Sequence, residues 1–207
     1  MNPRIVVVIP ARYNSSRFPG KPLACIAGQT MLSRVYNIAK AATQNIHHVE
    51  VIISTDDERI KTHAESFGAK VVMTSTDCPT GSDRALNACT QLNEIPDIVV
   101  NLQGDAPLTP PHFVQSILTA LLNDSEIDIT TPVVQLDWQE LDKLRKQKLR
   151  APFSGTTTIL NKQGNALWFS KQIIPAIRNE KQLRQQSPLS PVLRHIGLYG
   201  YQFKALK

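Results

Sequence analysis

The sequence predicts an α/β fold, a mostly parallel sheet with helices on both faces, joined to a small mixed α/β lobe. Three observations carry this expectation. Short β-branched runs alternate with amphipathic helical segments as far as residue 125, a rhythm that implies repeated β-α units. The runs Ile5–Ile9 and Ile98–Val100 are apolar at every position, as strands buried on both faces should be. Several runs lead into polar loops rich in Pro, Gly, Ser or Asp, and the carboxyl edge of such a sheet is where α/β proteins bind ligands.

The elements follow in order. Residues 4–9 read as a strand stopped by Pro10, and 30–43 as a helix with Met31, Val35, Ile38 and Ala42 on one face. A second strand, 49–55, ends in Asp56 and Asp57, which cap a helix over 57–67, with Gly68 as its stop. Residues 70–73 form a third strand, 82–92 a helix opened by Ser82 and Asp83, and 97–102 a fourth strand. Pro110 and Pro111 open a helix through Leu122, where a missing N–H costs nothing. Beyond about residue 125 the pattern becomes short and β-rich: 128–134, 156–160 and 166–170, with a hairpin turn at 161–165. Residues 178–193 are polar and read as a mobile loop, and 194–201 as one strand with His195 and Tyr199 on the same side. The expected division is therefore a core over 1–125 and a smaller lobe over 126–207 within one domain.

At 207 residues and 42% hydrophobic the chain can bury one sizeable core. No stretch is long and apolar enough to span a membrane, and the N-terminus lacks a signal-peptide core, which points to the cytoplasm. Three cysteines without metal-type spacing read as reduced thiols. The net charge of +6 is uneven: residues 1–138 carry 10 Lys and Arg against 14 Asp and Glu, and residues 139–207 carry 13 against 3. The basic run 143–150 has no interleaved aromatics, and its leucines suit one face of a short helix, so it reads as a solvated helical face rather than a nucleic-acid site.

Three segments carry candidate chemistry. The loop from Pro10 and Ala11 to Leu23 holds Arg12, Ser15, Ser16, Arg17 and Lys21, three cations and two hydroxyls suited to a polyanion. It is not a Walker A loop, because Pro22 follows Gly20-Lys21 where a hydroxyl residue belongs. The segment Thr80-Gly81-Ser82-Asp83-Arg84 stands at a helix start, where N–H groups and hydroxyls can meet a base edge or a phosphate; a plain capping role for Ser82 is the alternative. The fourth strand runs into Gln103-Gly104-Asp105, which brings a carboxylate to the same sheet edge, suited to Mg²⁺ beside a triphosphate, or to a simple turn before Pro107. Gly104 leaves room for a turn or a ligand.

Taken in order, residues 9–23, 80–84, 101–107, 166–170 and 195–201 resemble the 3-deoxy-manno-octulosonate cytidylyltransferases, also called CMP-Kdo synthetases. The resemblance covers nearly the whole chain and implies a Rossmann-like fold of the nucleotide-diphospho-sugar transferase type. It implies coupling of CTP to 3-deoxy-D-manno-octulosonate (Kdo), giving CMP-Kdo and pyrophosphate for lipopolysaccharide synthesis, with Mg²⁺ as cofactor and a homodimer as the assembly. By resemblance, Arg12, Lys21 and Asp105 serve catalysis, and Asp105 holds the metal. Pro10, Ala11, Arg12, Ser15, Arg17, Lys21, Gly81, Ser82, Arg84 and Gln103 meet the nucleotide, while Gln103, Lys171, Arg178, His195 and Tyr199 meet the sugar acid. The chain departs from the pattern at Ala106, where Glu is frequent, at Lys171, where Arg is usual, and over 138–158. Family members continue past the equivalent of Lys207 into a Val-Asp-Thr-Pro segment whose Asp is the other metal ligand, so the sequence reads as shortened. Two further readings follow, an 8-amino-Kdo cytidylyltransferase and a nucleotide-binding remnant without turnover.

Overall fold

A computed structural model describes residues 3–14 and 18–207. Ser15 and Arg17, expected among the phosphate contacts, lie outside the described residues. The chain forms two compact units, one of residues 1–130 with 198–207 and one of residues 131–197. The first contains the core expected over 1–125, and the last ten residues rejoin it instead of belonging to the smaller lobe.

In the first unit the strands are β1 (Ile5–Pro10), β2 (Cys25–Ile26), β3 (Gln29–Thr30), β4 (Val49–Thr55), β5 (Lys70–Met73), β6 (Ile98–Asn101) and β7 (Ile129–Thr130). Its helices are α1 (Met31–Thr43), α2 (Glu58–Ser66), α3 (Gly81–Thr90) and α4 (Pro111–Asn123). The second unit contributes β8 (Val133–Asp137), α5 (Trp138–Arg150), β9 (Thr156–Leu160), β10 (Ala166–Ser170), α6 (Glu180–Gln186) and β11 (Leu189–His195). The chain then re-enters the first unit as β12 (Tyr199–Gln202) and α7 (Phe203–Leu206).

The main sheet has the order β5-β4-β1-β6-β12-β7. Strands β1, β4, β5 and β6 run parallel, and β12 is antiparallel to both β6 and β7. All six residues of β1 are buried, as its unbroken apolar run requires. Val6 and Val8 pack with Ile52, Val99, Phe203 and the Ala85, Ala88 and Cys89 stripe of α3. Burial pushes the Cys89 thiol up to about 12, consistent with a packing role. The buried stripe of α1 is Leu32, Val35, Ala39 and Ala42, rotated from the one expected through Met31 and Ile38.

The second unit packs Leu136, Trp138, Leu141, Leu144 and Val192 beside an antiparallel sheet of order β10-β9-β11-β8. Three expectations change here. The run 128–134 is two strands in different sheets, split at Thr131-Pro132, since proline cannot donate to a ladder. Residues 178–193 are not a mobile loop: α6 is tied down by Arg145 and Arg184, both paired to Glu180, and β11 begins at Leu189. The expected strand 194–201 breaks after His195, with β11 and β12 in separate sheets. The hairpin turn at 161–165 does form, with Asn161 Oδ1 accepting from the Gln163 and Asn165 amides.

Candidate active site

The strand order places β4 on one side of β1 and β6 on the other, so the connections diverge at β1 and leave a crevice at the carboxyl ends of these strands. A cleft of about 360 Å³ opens there. It is lined by Pro10, Ala11, Arg12 and Asn14 after β1, by Lys21 and Pro22, by Pro79, Thr80 and Gly81 at the start of α3, and by Gln103, Gly104 and Asp105 after β6.

Each wall has a local cause. Gly20 adopts φ 69°, with the position of a Cβ only 3.1 Å from the Tyr13 ring, and it opens the 3-10 turn Lys21–Leu23 that delivers the lysine. The Tyr13 ring is covered by the Arg59 guanidinium 3.3 Å from its centroid, and Arg59 in turn grips Asp57, the N-cap of α2. Lys21 Nζ lies 2.6 Å from Asp105 Oδ2. The turn after β6 continues the β1 pairing, with the Leu102 amide donating to the Val8 carbonyl and Gly104 to that of Pro10. A Cβ at Gly104 would stand 2.7 Å from the Pro10 oxygen, so the close approach of the β1 backbone already requires glycine there.

The third wall is the N-terminus of α3, whose first amides face a site suited to anions. Thr80 caps it in a reciprocal box with Asp83, so the expected opening by Ser82 moves back to Thr80. The hydrogen bonds from Thr80 hold the Asp83 carboxyl below its ordinary range, and Arg12 adds to the same effect. The Arg12 guanidinium donates to the Cys78 carbonyl, which draws the loop after β1 toward α3.

Two nucleotide assignments change. Arg84 is fully buried and does not line the cleft. It donates to Asp56 Oδ2 at 2.8 Å and to Thr74 Oγ1, a structural tie between α3 and the loops after β4 and β5. Ser82 also lies off the cleft lining, hydrogen-bonded to Asn101 and Tyr201. Pro10, Ala11, Arg12, Lys21, Gly81, Gln103 and Asp105 are together. Asn14, Pro22 and Pro79 join them, residues the sequence does not single out as ligand contacts, and so does Thr80, whose hydroxyl the sequence offers to a base edge or a phosphate; the Thr80–Asp83 spacing is a legible capping-box signal.

Among the residues assigned to the sugar acid, Gln103 and Tyr199 lie in the first unit and Lys171, Arg178 and His195 in the second. Lys171 donates to Thr156 Oγ1 at 2.8 Å, and Arg178 is exposed. His195 Nε2 is 2.8 Å from Thr131 Oγ1, and its ring meets Phe169 edge-on at 4.9 Å. Burial and then the nearby Lys171 charge hold its imidazole below the ordinary range, which favours the neutral form. Lys148, expected on a solvated helical face, donates instead to the carbonyls of Ser154, Gly155 and Lys171 and so ties the 152–155 turn to the Lys171 backbone.

Asp105 is the one carboxylate among the described residues lining the cleft. The donor set, a single exposed carboxylate beside the cations Arg12 and Lys21, is compatible with Mg²⁺, an ion that keeps several waters and takes much of its coordination from substrate phosphates.

A parallel α/β sheet with a switch-point cleft, two cations, a helix N-terminus and one carboxylate defines a nucleotide-binding protein of the phosphate-transfer class. The family model described as Cytidylyltransferase matches residues 6–207, and the 3-deoxy-manno-octulosonate cytidylyltransferase of Maricaulis maris is 42% identical over 203 residues, covering 98% of this chain and 75% of that protein. The chain belongs to the 3-deoxy-manno-octulosonate cytidylyltransferase family. The protein of the same description from Myxococcus xanthus is 40% identical, with 98% of this chain and 74% of its own length covered. A solved structure described as CMP:2-keto-3-deoxy-manno-octonic acid synthetase complexed with CTP superposes with a TM-score of 0.81 at 33% identity, over 98% of this chain and 76% of that one.

Proposed function

We propose that the protein is a cytidylyltransferase that joins CTP to Kdo, giving CMP-Kdo and pyrophosphate. The observation that carries this reading is the meeting of Arg12, Lys21, Asp105 and the α3 N-terminus in one cleft of a chain from this family. In the reaction an anomeric hydroxyl oxygen attacks the α-phosphorus of CTP. The bond from that phosphorus to the α,β-bridging oxygen breaks, pyrophosphate leaves with the bonding pair, and the hydroxyl proton passes to solvent.

Little covalent chemistry falls to the protein in such a transfer, so its residues act by position and charge. Arg12 and Lys21 would meet charge on the transferred and leaving phosphates, and the α3 amides add dipolar stabilisation. Asp105 would hold Mg²⁺, which when bound neutralises phosphate charge. Lys21, now paired with Asp105, would then be free to meet phosphate. Lys171 and Arg178, with neutral His195 as a hydrogen-bonding group, would serve the sugar acid, whose carboxylate calls for cations. A cytoplasmic homodimer supplying activated sugar for lipopolysaccharide completes the proposal.

The test is pyrophosphate release from CTP plus Kdo with Mg²⁺, compared with 8-amino-Kdo. Turnover with Kdo that is abolished in Asp105→Ala is the expected result; CTP binding with no turnover on either sugar would overturn the reading.

A further inference from the structure

Asn101 is fully buried at the end of the apolar strand β6, Ile-Val-Val-Asn, between β1 and β12. A buried amide is costly unless its hydrogen bonds are met. Both ends of this one are engaged: Oδ1 accepts from Gln103 Nε2 at 3.0 Å, and Nδ2 donates to Ser82 Oγ at 3.3 Å. Ser82 Oγ is in turn 3.2 Å from the Tyr201 hydroxyl. The chain of bonds starts at a residue lining the cleft and ends on β12, outside its lining.

We infer that Tyr201, Ser82 and Asn101 act as a positioning relay that sets the amide of Gln103, and with it the hydrogen-bonding face the cleft offers its substrate. With Asn101 donating to Ser82, the Ser82 hydroxyl hydrogen is free to go to the Tyr201 oxygen, so the bonds run in one direction from Gln103 outward. That direction commits one N–H of Gln103 Nε2 to Asn101 and keeps Oε1, a pure acceptor, out of the relay and available to the cleft. Gly81 leaves this amide its place, because a Cβ there would stand 3.1 Å from Oε1 and 3.2 Å from Nε2. An acceptor fixed in this way selects a substrate group that donates a hydrogen bond, either an amine or a hydroxyl. In the cytidylyltransferase reading, on which this inference rests, the donor is the cytosine amine or a hydroxyl of the sugar acid.

The experiment is a double-mutant cycle between Tyr201→Phe and Gln103→Ala, with kcat and KM measured for CTP and for Kdo separately. A neutral hydrogen bond of about 1 kcal/mol corresponds to roughly a five-fold effect, so Tyr201→Phe should raise one of the two KM values by about that factor. A rise for CTP assigns the donor to the base, and a rise for Kdo assigns it to the sugar. In the Gln103→Ala background, Tyr201→Phe should add nothing. Ser82→Ala should reproduce the pattern and Ser82→Thr, which keeps the hydroxyl, should restore wild-type KM, so the proposal stays testable if Tyr201→Phe folds poorly. Independent, multiplicative effects, or no effect of Tyr201→Phe and Ser82→Ala on either KM, would overturn the relay while leaving the proposed reaction standing. A wild-type protein inactive on CTP and Kdo would remove the reaction and the relay together.

Discussion

Lys21 and Asp105 are partly exposed and 2.6 Å apart, and surface ion pairs of this kind add at most about 1 kcal/mol to stability. Their value is positional: the lysine is held at the mouth of the cleft by a turn that begins on a left-handed glycine. Lys21→Met should therefore leave thermal unfolding nearly unchanged and lower kcat/KM for CTP by roughly 10² to 10³, the usual scale for losing one preorganised charge contact; an unchanged kcat/KM would remove Lys21 from the site. Residue type was enough to nominate Arg12, Lys21 and Asp105 from sequence, because cations and a carboxylate at strand ends have few structural uses in that pattern. It misled at Arg84, since an arginine in the first turn of a helix looks out of place until Asp56 is seen 2.8 Å away. Nothing within one segment announces that long-range partner.

At the scale of elements, the parallel core was legible because β1, β4, β5 and β6 are short, apolar and separated by capped helices. Asp57 and Thr80 mark two of those helix starts. The later chain was less legible: proline at 132, the polar run around α6 and the break after His195 depend on which sheet each strand joins, and that is decided by non-local pairing. The Gln103–Asp105 turn shows how tightly one element fixes another. A methyl group at Gly104 would press on the Pro10 carbonyl at 2.7 Å, so Gly104→Ala should destabilise the first unit by about 1–3 kcal/mol. It should also weaken CTP binding, because Asp105 and Gln103 move with the turn. Denaturant unfolding and CTP titration check both effects, and a variant as stable and as tight as wild type would contradict the packing described.

At the scale of the whole molecule, the two units are held by different means. The first rests on an apolar sheet, while the second adds a charged clasp in which Asp142, Arg145, Glu180 and Arg184 join α5 to α6. Hydrogen bonds from Arg145 and then Arg184 lower the Glu180 carboxyl to about 2 from an ordinary 4.5. A depressed carboxylate binds its proton more readily in the unfolded chain, so its stabilising contribution is complete above about pH 4.5 and is lost as pH falls toward 2. Glu180→Gln should accordingly be less stable than wild type at neutral pH and converge with it in acid, as read by thermal unfolding across that range. The central claim, however, concerns the cleft at the ends of β1 and β6, and pyrophosphate release from CTP and Kdo tests it most directly. The account predicts Mg²⁺-dependent release that disappears in Asp105→Ala while CTP-independent folding is retained; a protein that binds CTP yet releases no pyrophosphate, or an Asp105→Ala variant as active as wild type, would contradict it.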